Sequence, residues 1–349
     1  MPLLPGYNNK MPQPTMEKLR KIVYLILCVI TVLMMLFSVL SVFRNTSSNY
    51  LKMLDFPRIQ FFLGSLVTLV LFVIMTQKWR WYDYALVVGL LGGLVVNGTY
   101  LIHYTPLFPD RVPEAAADHA PEDRVSLLLT NVLMKNRTAQ PLIDLIREKD
   151  PDFLIALEVD SWWDEQLRGI EQQYPYTQEN TNEVAYGMAL YSKYPFKNVE
   201  VNRLNNKKVP SYRATVQLPN GRDIVLNTVH PVPPKSFEDF PDNKGQKEVA
   251  LRKVGQDVAS SSLPNIVAGD LNDVVWGYTD LLTGTTDLLF DVRVGRGFYN
   301  SFDANSWFMR WPIDHVFVTR QFALSRLERL SKIGSDHFPI YVELVLEDK

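Results

Sequence analysis

Asn265-Ile266-Val267-Ala268-Gly269-Asp270-Leu271-Asn272 reads as a short apolar strand that stops on a carboxylate and a carboxamide. The end of such a strand is where a sheet delivers side chains from distant parts of a chain into one cleft. The same pattern recurs on both sides of this stretch. Residues 125–131 are apolar and end at Asn131, and residues 153–157 end at Glu158. Residues 224–229 run into His230, Asp314 sits in the apolar stretch 313–318, and Asp336-His337 precedes the closing apolar run 340–346. Residues 187–191 form a further short strand.

Helical spacing fills the gaps. Leu142, Leu145 and Ile146 place a helix over residues 138–149, stopped by Pro151. Further helices are expected over 162–170 and 248–259. Pro219-Asn220-Gly221-Arg222, between the apolar runs 214–218 and 224–229, carries the Asn-Gly signal of a hairpin turn. Strands alternating with helices, with hairpins among them, indicate an α/β domain with mixed sheets. Taken singly, an Asn or Asp after a strand is a turn residue. Together the polar strand ends carry more weight, because a turn needs no particular partner elsewhere.

The first third of the chain differs in composition. Residues 22–43 are 22 consecutive uncharged residues, long enough to cross a bilayer as a helix. Residues 59–76 form a second such run, and residues 84–104 a third, broken by Gly89, Gly92, Gly93, Asn97 and Gly98. Glycine is common in membrane helices and lets them pack closely. Lys10, Lys18, Arg20, Lys21, Lys78 and Arg80 flank one side of this bundle, against Arg44, Lys52 and Arg58 on the other. Six against three places the N-terminus in the cytoplasm and everything after three crossings outside. Trp79, Trp81, Tyr82 and Tyr84 fit an interfacial aromatic belt. The expected layout is a cytoplasmic tail (1–21), three spans within 22–104, a Pro- and acid-rich linker (105–124) and a soluble domain (125–349). This describes a multi-pass protein of the plasma (inner) membrane with an extracytoplasmic domain.

Charge limits the function classes. Residues 105–349 hold 27 of the 36 Lys/Arg and 35 of the 38 Asp/Glu, a net of −8, which counts against a dedicated duplex-DNA binder. The single cysteine, Cys28, excludes an intramolecular disulfide and a thiolate zinc site.

The ordered set Thr130-Asn131-Val132, Asp152 through Glu158, Ser192-Lys193-Tyr194-Pro195, His230-Pro231, Gly269-Asp270-Leu271-Asn272, Ile313-Asp314-His315 and Gly334-Ser335-Asp336-His337 resembles the endonuclease/exonuclease/phosphatase superfamily over residues 125–346. The stretch from Asn131 to Glu158 and the segment His-Pro-Val-Pro-Pro at 230–234 resemble a membrane subgroup that includes a bacterial glycopeptide-resistance protein. The resemblance implies a four-layer, DNase I-like sandwich of two mixed β-sheets flanked by helices, here preceded by three transmembrane helices. It also implies Mg²⁺ or Mn²⁺, since the candidate ligands are oxygen donors. Glu158 would be the main metal ligand with Asn131 beside it, and Asp336 a second metal or orienting carboxylate. Asp270 would orient or deprotonate the attacking water, and Asn272 would hold a phosphoryl oxygen or that aspartate. His337 would contact the phosphate, with Asp314 on its other nitrogen. His230 would stabilise the phosphate or protonate the leaving oxygen.

Glu183 is left out of the site because its register is undetermined, and His315 is expected to be structural because its side chain should point away from that of Asp314. His103 and His119 lie outside the soluble domain and are read as structural. The leading function is a membrane-anchored phosphoesterase acting on a lipid-linked or small phosphorylated substrate. An extracytoplasmic nuclease is the alternative, and a scaffold that retains the fold ranks last. Besides the bilayer and the substrate, no obligate protein partner is inferred.

Overall fold

The computed structural model describes residues 13–44, 48–204, 206–233 and 249–347. The chain divides into two compact units, one built from the N-terminal helices up to Tyr100 and the other over Leu101–Lys349.

The first unit contains α1 (Gln13–Leu40), the short α2 (Asn49–Met53), α3 (Arg58–Met75) and α4 (Trp81–Leu101). Three helical stretches, Met16–Leu40, Arg58–Met75 and Trp81–Tyr104, are long and apolar enough to cross a membrane. Two glycines of α4, Gly89 and Gly93, stand at close approaches to α1, whereas Gly92 faces open space. A Cβ on Gly93 would sit 3.1 Å from Ser38 Oγ, so α4 approaches α1 closely at that point. Arg44 and Arg58 both pair with Asp55 at 2.5 Å, and Arg58 also donates to Ser41 and Asn97. Buried charges in such a bundle persist only when each has a partner. The expected tail is described only from residue 13 onward, and Lys10 lies outside the described residues.

The second unit has two six-stranded sheets. The first contains β1 (Arg124–Asn131), β2 (Phe153–Leu157), β3 (Tyr176–Asn180) and β4 (Met188–Ser192). The second contains β5 (Phe196–Asn202), β6 (Ser211–Gln217), β7 (Asp223–Thr228), β8 (Asn265–Asp270), β9 (Phe290–Asp291) and β10 (Asp314–Val318). The closing strands β11 (Phe322–Arg329) and β12 (Ile340–Leu346) return to the first sheet. The strand orders are β11-β12-β1-β2-β4-β3 and β5-β6-β7-β8-β10-β9. Among the named strands β1/β2 and β7/β8 pair in parallel and the rest antiparallel, so both sheets are mixed. The expected hairpin joins β6 and β7, with Gly221 at φ +84° in its turn.

Helices α5 (Gln140–Lys149) and α6 (Ser161–Leu167) cover the first sheet, and α7 (Val249–Ala259) and the short α8 (Thr279–Thr283) cover the second. Residues 234–248 lie outside the described residues, including Pro234 of the His-Pro-Val-Pro-Pro segment and the first residue of the helix expected over 248–259.

Strand alternation separates two kinds of face. Leu127 and Leu129 of β1, Ile155 and Leu157 of β2, Ile266 and Ala268 of β8, and Val316 and Val318 of β10 meet between the sheets. The intervening Leu128, Leu154, Val267 and Phe317 face the helices. The result is the expected helix–sheet–sheet–helix sandwich, and the inward faces of β1, β8 and β10 lead to Asn131, Asp270 and Asp314.

Candidate active site

Asn131 and Asp270 end the inward faces of β1 and β8, and Asp314 begins that of β10. All three are buried. Asp314 and Asp270 are direct cross-strand partners in the β8/β10 ladder. Two carboxylates in that arrangement repel each other. His337 relieves the repulsion, with Nδ1 2.7 Å from Asp314 Oδ2 and Nε2 3.6 Å from Asp270 Oδ2. It reaches this position because Ser335 Oγ accepts from the His337 amide at 3.0 Å and donates to the Asn131 carbonyl at 2.7 Å.

Glu158 lies one residue beyond β2, in the left-handed region at φ +63°. Its carboxylate accepts from Asn131 Nδ2 at 2.9 Å and from the Met134 amide at 3.1 Å. The same Nδ2 donates to Asp270 Oδ2 at 3.1 Å, so one carboxamide links the ends of the two sheets. Asn272, at φ +50°, donates its amide to Asp270 Oδ1 at 2.8 Å and its Nδ2 to the Pro231 carbonyl at 3.1 Å. Left-handed non-glycine residues cost energy and cluster where the surrounding structure holds a functional geometry.

His230 Nε2 is 3.6 Å from Asp270 Oδ2, and its Nδ1 has no hydrogen-bond partner among the described residues. Gly269 makes this approach possible, because a Cβ there would lie 1.7 Å from the Val229 carbonyl oxygen.

The electrostatics follow from burial and neighbours. Burial pushes Asp270 up to about 7, aided by Asp314 and opposed by His337 and by the donors Asn272 and Asn131. Burial also raises Glu158. Burial opposes the charge on His337, but Asp314 and then Asp270 outweigh it and carry the imidazole to about 10. Burial likewise opposes ionisation of Asp314, and His337 nevertheless holds that carboxyl below its usual range. His230 goes the other way, to about 3, through burial and the nearby His337. The two imidazoles are therefore unlike: His337 is cationic and His230 neutral at pH 7.

Asp270, Asp314 and His337 bring ligand-type atoms within 4.8 Å of one another, but His337 could ligate a cation there only by giving up its proton. The second oxygen-donor group, Asn131 with Glu158, is joined to it through Asp270. Burial holds Glu158 and Asp270 above the usual carboxylate range, and a divalent cation between them would restore their charge. The donor set therefore fits a hard cation. Asp336 acts on this group at a distance, through its charge on Glu158 and on His337, and its Oδ1 accepts from Ser335 Oγ at 3.4 Å.

All eight expected residues thus lie at one end of the sandwich. His315 faces the opposite side of β10, as expected. Glu183, left open by its register, accepts from the Ser161 amide and hydroxyl at 3.3 and 3.0 Å. Two residues were missed. Tyr186 packs its buried ring 4.9 Å from that of His230, and burial keeps its phenol protonated; no motif in the sequence marks it. Ser335 was visible inside Gly-Ser-Asp-His but had no assigned role.

Residues 128–337 match the model of the Endonuclease/Exonuclease/phosphatase family. No curated protein sequence matches the chain. Among solved structures, a humanized D. rerio TDP2 is similar at 18% identity and a TM-score of 0.54, covering 64% of this chain and 99% of that one. D. rerio TDP2 complexed with single strand DNA product is similar at 17% identity and a TM-score of 0.52, covering 63% and 98%. An endonuclease/exonuclease/phosphatase from Beutenbergia cavernae is similar at 19% identity and a TM-score of 0.50, covering 64% and 72%. At these identities the likeness establishes the DNase I-like fold.

Proposed function

Because the chain belongs to the Endonuclease/Exonuclease/phosphatase family, we propose that it is a membrane-anchored, divalent-cation-dependent phosphoesterase. The observation that carries this reading is His337 held between Asp314 at 2.7 Å and Asp270 at 3.6 Å, beside the Asn131–Glu158 pair. A phosphoryl group seated among Asp270 Oδ2, His337 Nε2 and His230 Nε2 would meet each group in a useful protonation state.

Asp270, buried with its Oδ2 3.6 Å from both imidazoles, takes the proton of the attacking water. His337, cationic, donates from Nε2 to a phosphoryl oxygen, and Asp314 sets its tautomer and balances its charge. His230 is neutral, which suits it to hydrogen-bond a phosphoryl or leaving oxygen. Asn272 orients Asp270 through its amide. Glu158 and Asn131 would hold the cation, with Asp336 adding negative charge nearby; Mg²⁺ or Mn²⁺ bound there supplies Lewis-acid neutralisation of the phosphoryl charge.

Three span-length helices and the Lys/Arg imbalance support an anchor with the catalytic unit on the outer face. The net of −8 after residue 104 favours a lipid-linked or small phosphorylated substrate over duplex DNA. The similarity to D. rerio TDP2 complexed with single strand DNA product keeps a nuclease as the second reading.

The test uses the full chain in detergent with bis(p-nitrophenyl) phosphate, a short single-stranded oligonucleotide and a phospholipid. Activity should vanish with chelator and return with Mg²⁺ or Mn²⁺. Full activity after thorough chelation overturns the metal assignment, and cleavage of the oligonucleotide alone selects the nuclease reading.

A further inference from the structure

Residues 302–311 form a closed loop beside the candidate site. Its ends, Phe302 and Trp311, pair through their backbones and stack with ring centroids 6.0 Å apart. Its base touches the catalytic group: the Phe302 ring lies 5.0 Å from that of His337, and the Ala304 amide donates to the Asp336 carbonyl at 2.7 Å. The loop's polar groups are largely used internally. Asp303 accepts from the Asn305 amide at 2.7 Å, Ser306 Oγ from the Met309 amide at 2.8 Å, and the Ser306 carbonyl from Arg310 Nε at 2.5 Å.

This internally bonded loop holds Trp307, Phe308 and Met309 out to solvent, at 87%, 46% and 42% exposure. Trp307 is the most exposed large hydrophobic residue among the described residues, and its only ring neighbour there is Phe308, at 5.6 Å. Three contiguous large apolar side chains kept in water by a hydrogen-bonded loop mark an interaction surface.

The surroundings identify the partner. Arg310 and Arg329 lie over the Phe338 ring at 5.1 and 4.6 Å, and Lys332 bonds to Asn305 in the loop. The one acidic side chain of the loop, Asp303, is engaged by the Asn305 amide. Aromatic and Met side chains at a tip, rimmed by Arg and Lys, match the boundary between headgroups and acyl chains of an anionic leaflet. Three helices in the same chain are long and apolar enough to cross a membrane, and such an anchor would tether this unit to a bilayer.

We propose that the 302–311 loop is a membrane-interface finger, with Trp307, Phe308 and Met309 entering an anionic leaflet and the adjoining His337 site acting on phosphate esters of lipids in that surface. The substrate half rests on the phosphoesterase reading, whereas the insertion half does not.

The experiment uses the full chain carrying Cys28→Ser and Trp307→Cys, labelled with an environment-sensitive fluorophore, in nanodiscs containing phosphatidylglycerol. A Glu200→Cys label on the exposed face of β5 is the control. The 307 probe should shift to the blue and be quenched by phosphatidylcholine spin-labelled near the headgroup end of its acyl chain, with the control unaffected. The effect should weaken in pure phosphatidylcholine. Emission at 307 that stays water-like and unquenched overturns the proposal, as does a response to a single-stranded oligonucleotide in place of lipid.

A second measurement covers the substrate. In Trp307→Ser/Phe308→Ser, the rate on a nanodisc-embedded phospholipid diester, divided by the rate on bis(p-nitrophenyl) phosphate, should fall about tenfold. An unchanged ratio overturns the substrate half. Failure of the unsubstituted chain to hydrolyse either ester defeats the phosphoesterase reading, and the fluorescence still decides insertion.

Discussion

The two faces of β10 carry adjacent residues with opposite fates. On the inward face, Asp314 meets His337, and the imidazole is driven to about 10. On the outward face, His315 meets Asp291 and Arg293, and burial followed by the Arg293 charge lowers its pKa. The outward pattern is self-consistent: Arg293 donates to His315 Nδ1 at 2.5 Å, and Nε2–H donates to the Asp273 carbonyl at 2.9 Å, which requires a neutral ring. Asp291 is satisfied by Arg293 Nε and Nη2 at 3.0 and 2.7 Å, so its charge is neutralised before the histidine needs it. An Asp–His pair alone does not make an acid–base unit. The inward histidine keeps a charge because the two carboxylates of Asp314 and Asp270 face it and, among the described residues, no arginine bonds to its ring.

The comparison breaks first at His337. Replacing it with Asn removes the cationic donor that the proposed mechanism sets against a phosphoryl oxygen, and kcat should fall by about 10²–10³. Asp314→Asn should do similar damage by releasing the tautomer, and the double variant should be little worse than the worse single one. Rates for the four chains, with circular dichroism to confirm folding, decide this; fully multiplicative losses would separate Asp314 from His337.

On the outward face the effect should appear in stability. Asp291→Asn strands a buried Arg293 and should cost about 3–5 kcal/mol. Thermal unfolding in detergent reads the loss, while kcat per folded molecule should stay within a few-fold. A loss of kcat comparable to that of His337→Asn would erase the distinction between the faces.

His315→Asn is milder, about 1–3 kcal/mol, because it leaves one arginine donor and one carbonyl to find other partners. Its kcat should also stay within a few-fold.

The last contrast is in pH dependence, and its signs are opposite. The pKa of His337 is raised, so its contribution to stability is complete below the ordinary histidine value of about 6.5 and is lost as pH rises through about 10. The pKa of His315 is lowered, so its contribution is present above about 6.5 and is lost as pH falls. NMR of ¹³C-labelled histidine should show one ring still protonated at pH 8 and another still neutral below 6.5. Identical titrations of the two would remove the contrast.

How much was legible follows the burial of each strand. The central strands β1, β2, β4, β6, β7, β8, β10 and β12 contain apolar runs and are legible in the sequence. Four others, β3, β5, β9 and β11, were not read, and all four are sheet edges. Tyr176–Asn180 and Phe196–Asn202 are largely polar and partly exposed, because an edge strand needs no apolar run and is better protected by charge. The helix expected over 162–170 is a shorter α-helix, Ser161–Leu167, followed by one 3₁₀ turn.

The sequence by itself determined the α/β class, the three span-length apolar helices, the set of polar strand ends and, through period-two alternation, that His315 turns away from Asp314. These depend on local order along the chain. Only the tertiary structure decided that Asp270 and Asp314 stand opposite each other, that one Asn131 carboxamide joins Glu158 to Asp270, and that His230 is neutral while His337 is charged. Protonation depends on burial and on charges brought within a few ångströms from 139 residues away, as in the Asn131–Asp270 contact, and no local pattern encodes that distance.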